Sequence, residues 1–158
     1  MIRTGIGFDI HRFAVGRKLI LGGVEIPSSE GLEGHSDADV LCHALADALL
    51  GSIADGDIGQ HFPNTDPRWK NADSVELLRQ VVLRVKARGF HVVNVDAAIT
   101  AEKPKVRPYA QRMKERLAPV LGVALDAVSI KATTMEGMGA IGRGEGIAVM
   151  AVATVENG

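Results

Sequence analysis

Residues 147–155 read Ile-Ala-Val-Met-Ala-Val-Ala-Thr-Val, a run that is almost continuously apolar. A strand in a sheet covered on one face alternates apolar and polar residues, so an unbroken run marks a strand buried on both faces. A chain of 158 residues fits one domain, spanning 1–158. It has little of its own to lay on the second face, and another subunit is the expected cover. The chain is poor in aromatics (4%) and holds 18 glycines, so its core is built from small side chains. Such a core buries less apolar surface per residue, which again points to stability shared between subunits.

The remaining patterns suit one mixed β-sheet with helices packed on one face, an α/β (α+β) sandwich. Ile2 to Phe8 reads as a first strand. Lys18–Leu21 and Val24–Ile26 flank Gly22-Gly23, a hairpin signal. Ser36 is the expected N-cap of a helix running to about Leu50, with Asp37 and Asp39 in its first turn. Its apolar positions Val40, Leu41, Ala44, Leu45, Ala48 and Leu49 recur at helical spacing. Ser52 to Asn71 reads as a long loop, and such loops are often functional. Asp73 and Glu76 resemble a capping box before a helix that ends at Gly89. His91 to Thr100 reads as a strand with Val93, Val95, Ala97 and Ile99 on one face. Pro108 opens a further helix, and Val128–Thr133 is a strand. No internal repeat and no linker interrupt the chain.

A formal net charge of −1 gives no electrostatic reason to expect nucleic acid or an anionic membrane. No apolar run approaches the ~20 residues of a bilayer span, and Met1 leads straight into strand-like sequence, so no leader is expected. Cys42 is the lone cysteine. That fits a reducing compartment, and a bacterial cytoplasm is the expected setting.

Chemistry gathers in a few segments. Asp9 and His11 are two apart, so on extended backbone both side chains point the same way. His43 projects from the later helix. Three such ligands can hold zinc and leave its fourth position open, although the same set accepts manganese or cobalt. An incidental pair and a core histidine are the bland alternatives. Asp47, four residues after His43, could support its second ring nitrogen, but a solvated helix face is the simpler reading. His35 and Ser36 lie where a helix begins, which suits an anion, while Ser36 could simply cap. Lys131-Ala132-Thr133-Thr134-Met135-Glu136-Gly137 leaves a strand for a glycine-rich turn. Hydroxyls, backbone N–H groups and a carboxylate there suit a phosphate with a hard cation, or a tight turn capped by threonine. It is neither a Walker loop nor a dinucleotide fingerprint. Arg143 and Glu145 are expected to pair within a turn. Lys103-Pro104-Lys105 is either a solvated cluster or a rigid loop facing a base or phosphate.

Taken in order, Gly7-Phe8-Asp9-Ile10-His11, Gly34-His35-Ser36-Asp37-Ala38-Asp39-Val40 with His43, Gly56-Asp57-Ile58-Gly59, Phe62-Pro63-Asn64-Thr65-Asp66-Pro67, Lys131-Ala132-Thr133-Thr134 and Gly142-Arg143-Gly144-Glu145-Gly146 resemble the 2-C-methyl-D-erythritol 2,4-cyclodiphosphate synthases of the non-mevalonate isoprenoid pathway. The resemblance runs through essentially the whole chain. It implies a homotrimer with active sites between adjacent subunits, and a reaction that turns 4-diphosphocytidyl-2-C-methyl-D-erythritol 2-phosphate into the cyclic diphosphate plus CMP. It implies Zn2+, or another divalent transition metal, on Asp9, His11 and His43, and Mg2+ or Mn2+ with the substrate diphosphate on Glu136. His35 and Thr134 match positions of transition-state stabilisation. Asp9, His11, His35 and Ser36 would contact the phosphates or the erythritol end. Asp57, Ile58 and Gly59 would bind the methylerythritol hydroxyls, beside Phe62, Pro63, Asn64, Thr65 and Asp66. Ala101 to Arg107 would form the cytidine pocket, with Pro104 and Lys105 central and Val106 and Arg107 beside them. Thr133, Thr134, Met135 and Glu136 would hold the diphosphate, and Arg143 would sit near the phosphates or the trimer axis. The chain departs from the common pattern at Ala140, where many members have an aromatic, and at Asn64, where Asp is frequent. Two other functions fit the same metal ligands: a zinc hydrolase of phosphate esters, and a non-catalytic trimer that binds isoprenoid phosphates.

Overall fold

The computed structural model describes residues 1–158. Its strands are β1 (Ile2–Val15), β2 (Leu19–Leu21), β3 (Val24–Ile26), β4 (Glu30–Leu32), β5 (His91–Thr100), β6 (Val128–Thr133) and β7 (Gly146–Glu156). Its α-helices are α1 (Val40–Ser52), α2 (Ile58–His61), α3 (Ser74–Ala87), α4 (Ala110–Leu121) and α5 (Gly139–Gly142). Five strands form one sheet in the order β4-β1-β7-β5-β6, with β2 and β3 as a separate hairpin. The β5–β6 pair is parallel and its neighbours are antiparallel, so the sheet is mixed. No helix is long and apolar enough to cross a membrane.

The helices cover one face. Odd-numbered residues of β7, from Ile147 to Val155, are buried beneath them. The even-numbered residues point the other way, where Met150 and Val152 are exposed. Across the β1–β7 ladder Phe8 pairs with Met150 and Ile6 with Val152, so the uncovered face is a continuous apolar patch that also takes in Ile2 and Ile10. The unbroken hydrophobicity of β7 therefore has a cover on one side and an open surface on the other.

Helix α1 reaches the sheet unusually closely because Gly5 and Gly7 lie beneath it. A Cβ on Gly7 would stand 1.9 Å from the Ala44 carbonyl oxygen, and one on Gly5 would stand 2.0 Å from that of Ala48. Gly22 and Gly23 both have positive φ, 58° and 72°, as a two-residue hairpin turn requires.

Several sequence expectations shift. Strand β1 continues to Val15, so Asp9 and His11 lie within it and not at its end. The N-cap of α1 is Asp39, not Ser36. Asp39 wins because its fully buried carboxylate accepts N–H bonds from Cys42 and from the hairpin residues Gly22 and Gly23, at 3.1, 2.9 and 2.8 Å. Between them Ala38 takes a left-handed φ of 58°, which breaks any helix starting at Ser36. In β5 the register against β7 slips between Val92 and Asn94. This bulge buries Val92 and turns Val93 outward, so Val93 does not share a face with Val95. The long loop contains α2 and a 3₁₀ turn at Pro67–Trp69.

Candidate metal centre and substrate pockets

Asp9 and His11 point from β1 toward α1, where the close approach at Gly7 delivers His43. Asp9 Oδ2 lies 2.9 Å from His11 Nε2 and 3.1 Å from His43 Nδ1, and the two ring nitrogens are 3.3 Å apart. A tetrahedral zinc with bonds of about 2.0–2.1 Å spaces its ligand atoms about 3.3 Å apart, so these three atoms form one face of such a tetrahedron. These residues are the chain's possible metal-binding group.

The donor chemistry agrees. His11 Nδ1 lies 2.6 Å from the Glu33 carbonyl. A carbonyl can only accept, so Nδ1 carries a hydrogen, and Nε2 is the nitrogen that could give a lone pair to a cation in place of its hydrogen bond to Asp9. On the Asp9 carboxyl, burial works against ionisation, but hydrogen bonds from His11 and His43 and their charges outweigh it and hold the group down to about 2. For His11, burial disfavours the charged ring, and the bond and charge of Asp9 more than reverse this, so its pKa rises. An anion drawing two imidazoles together is the electrostatic arrangement that a divalent cation completes.

A cavity of about 380 Å³ opens beside this centre, lined by Asp9, His11, His35, Ser36, His43, Ile58, Gly59, Phe62, Pro63 and Asn64, with Trp69 and Leu77. His35 Nε2 donates to the Asp66 carbonyl at 3.0 Å, tying the histidine loop to the Phe62–Asp66 segment. Asp57 caps α2 through the Gln60 N–H, while Thr65 is exposed nearby. Asp47 neither supports His43 nor lies on a solvated face. It is half-buried and accepts the Ile58 N–H at 2.8 Å, anchoring α2. Burial, with the charges of Asp57 and Asp9, pushes its pKa up.

A second cavity of about 530 Å³ is lined by Ala101, Glu102, Pro104, Lys105, Val106, Arg107 and Pro108 on one side, and Ala132, Thr133 and Thr134 on the other. Met135 donates its N–H to Glu102 Oε1 at 2.7 Å, holding the two walls together. Thr134 Oγ1 accepts the Glu136 N–H at 3.2 Å, and Glu136 itself is exposed with φ 54°. Arg143 pairs with Glu145 at 2.8 Å. No residue lines both cavities, and His35 and Thr134 line different ones.

Sequence reasoning missed Trp69 and the hydroxyl of Ser74, and took in Glu102 only as part of the Ala101–Arg107 stretch. Trp69 is the chain's lone tryptophan and follows the Phe-Pro segment closely, a signal that could have placed it. Ser74 carries no signal in its own neighbourhood, because its contact with His43 spans 31 residues.

Fold and site together define an α/β-sandwich protein with an open Asp-His-His group that could hold a metal beside a polar cavity. The chain belongs to the YgbB family, whose model matches residues 2–156. It is 56% identical over 156 residues to the 2-C-methyl-D-erythritol 2,4-cyclodiphosphate synthase of Chlorobaculum tepidum, covering 99% of both chains. Among solved structures it superposes on the bifunctional IspDF of Campylobacter jejuni with a TM-score of 0.96 and 43% identity, covering 100% of this chain and 43% of that longer one. It also matches a CDP-bound 2C-methyl-D-erythritol-2,4-cyclodiphosphate synthase with a TM-score of 0.89 and 36% identity, covering 98% of this chain and 100% of the other.

Proposed function

We propose that this chain is a phosphorus–oxygen lyase that converts 4-diphosphocytidyl-2-C-methyl-D-erythritol 2-phosphate to 2-C-methyl-D-erythritol 2,4-cyclodiphosphate and CMP. The carrying observation is the convergence of Asp9 Oδ2, His11 Nε2 and His43 Nδ1 within 3.3 Å of one another at the mouth of a polar cavity. The relatives named for this reaction support it along nearly the full chain.

An oxygen of the substrate's 2-phosphate attacks the β-phosphorus, and the bond from that phosphorus to the CMP oxygen breaks. The nucleophile is already an anion, so no general base is needed, and catalysis consists of positioning and charge stabilisation. Asp9, His11 and His43 would hold zinc or a similar ion, which supplies orientation and polarisation of a phosphate oxygen. Glu136 would hold magnesium against the diphosphate. His35 and Thr134 stabilise charge on the phosphoryl oxygens as the bond order shifts. Asp57, Ile58 and Gly59, with the segment Phe62 to Asp66, seat the methylerythritol. Ala101, Pro104, Lys105, Val106 and Arg107 seat the cytidine, Thr133 and Met135 line the path between, and Arg143 neutralises phosphate charge.

The working form is a homotrimer with each site shared between two subunits. Two observations support this: the cytidine cavity and the metal cavity share no residue within one chain, and the apolar face around Phe8 and Met150 is uncovered.

The test is incubation with the cytidyl 2-phosphate substrate, zinc and magnesium, followed by phosphorus NMR. Cyclic diphosphate resonances with stoichiometric CMP are expected. A linear monophosphate would establish the hydrolase reading instead, and unchanged substrate would sink both.

A further inference from the structure

We infer that Asp37 and Ser74 are positioning residues that lock the ring of His43 in its metal-binding tautomer. The inference rests on the Asp9-His11-His43 centre proposed above. His43 Nδ1 faces Asp9, and its other nitrogen, Nε2, lies 2.9 Å from the Ser74 hydroxyl and 3.1 Å from that of Ser36. A hydroxyl could donate to Nε2 or accept from it, and the two cases have opposite consequences. If it donated, the ring hydrogen would sit on Nδ1 and block the metal.

Asp37 decides between them. Its Oδ2 accepts the Ser74 backbone N–H at 3.0 Å, and its Oδ1 is in short contact with the Ser74 hydroxyl. A carboxylate only accepts, so the Ser74 hydrogen points at Asp37. The Ser74 oxygen is left with lone pairs alone. Ser36 Oγ, which accepts the Ala38 N–H, lies farther from Nε2 and can turn its own hydrogen to the Ser74 oxygen 3.4 Å away, so the His43 Nε2–H donates to Ser74. The hydrogen of the neutral ring is thereby held on Nε2, which leaves Nδ1 its lone pair for a metal. Ser74 is 1% exposed and His43 8%, so water does not compete for these bonds. Outer partners of this kind orient ligating histidines and set their basicity. The geometry also explains why a serine opens α3: its N–H and O–H grip the same carboxylate.

The experiment withdraws zinc from the loaded enzyme with a competing chelator, comparing wild type, Ser74→Ala and Ser74→Thr. Nitrogen-15 NMR of the histidine rings reads the tautomer after stripping. Ser74→Ala is expected to weaken zinc binding about 10–100-fold and to give His43 as mixed tautomers. Ser74→Thr, which keeps the hydroxyl, restores the affinity. Wild-type affinity in Ser74→Ala, or a His43 Nε2 that carries no hydrogen in the stripped wild type, overturns the inference. The second measurement needs no variant and stands even if Ser74→Ala fails to fold. A wild type that binds zinc tightly but releases no CMP defeats only the catalytic reading. A wild type that takes up no zinc defeats both.

Discussion

Gly7 runs directly beneath Ala44, so close that a single added methyl would stand 1.9 Å from the Ala44 carbonyl oxygen. His43 is the neighbour of Ala44 in α1, and Asp9 lies two residues along β1 from Gly7. The backbone contact therefore fixes the distance between the ligands on the strand and the ligand on the helix. Gly7→Ala must push α1 away from the sheet. The expected cost is about 3 kcal/mol or more, at the upper end of overpacking effects, together with weaker zinc binding. Urea unfolding and a zinc titration on the same variant check both parts.

His43 offers one of the three candidate ligand atoms and lies on a helix already capped by Asp39. His43→Ala should abolish CMP release and lower bound zinc, while the far-ultraviolet circular dichroism remains that of the wild type. Chelation of the wild type should likewise stop turnover, with zinc restoring it. Turnover that persists in metal-depleted buffer would rule out the metal role.

The open sheet face presents Phe8 opposite Met150, 54% and 49% exposed. A charge at either position touches little within its own chain. Phe8→Asp with Met150→Asp should leave a folded monomer in sedimentation equilibrium, with turnover lost. A trimer that survives both substitutions would place the interface elsewhere.

Shared sites predict complementation. Thr134→Val alone should lower kcat about 100-fold without altering zinc affinity, because Thr134 lines the other cavity. Mixed trimers of Thr134→Val and His43→Ala chains should then regain part of the wild-type turnover, since some sites would draw both halves from unaltered sequence. If each site lay within one chain, mixing would restore nothing.

Asp55 lies 2.9 Å from Arg84, 3.1 Å from Arg88 and 3.5 Å from His61. Its hydrogen bond from Arg84 lowers its pKa, with the charges of Arg84, His61 and Arg88 adding to the effect. The unfolded chain therefore binds a proton more readily than the native one. The stabilisation is full above the ordinary carboxylate pKa and is lost as pH falls from there through the lowered native value. Asp55→Asn should show a lower Tm at pH 7 and a shallower fall across that window in thermal melts.

Periodicity made most of the fold legible. The apolar spacing of α1, the hairpin at Gly22-Gly23 and the strand at Val128–Thr133 all lie where local pattern puts them. The ligand set was legible for the same reason: Asp9 and His11 share a face because a strand has period two. What local pattern missed depends on competition between distant groups. Ser36 and Asp39 are both good caps, and the choice was made by two hairpin N–H groups that only a carboxylate in that place could satisfy. Val93 fits the alternation of β5, yet the register that β7 imposes turns it outward.

The sequence by itself determined that Asp9, His11 and His43 form a candidate metal-binding set and which faces of its strands and helices are apolar, since both follow from residue type and spacing along the chain. Only the tertiary structure decided that Ser74 stands behind His43, that α1 rests on bare backbone at Gly5 and Gly7, and that the two cavities share no lining residue within one chain. Those relationships join residues tens of positions apart, and they exist only once the sheet has set the distances between them.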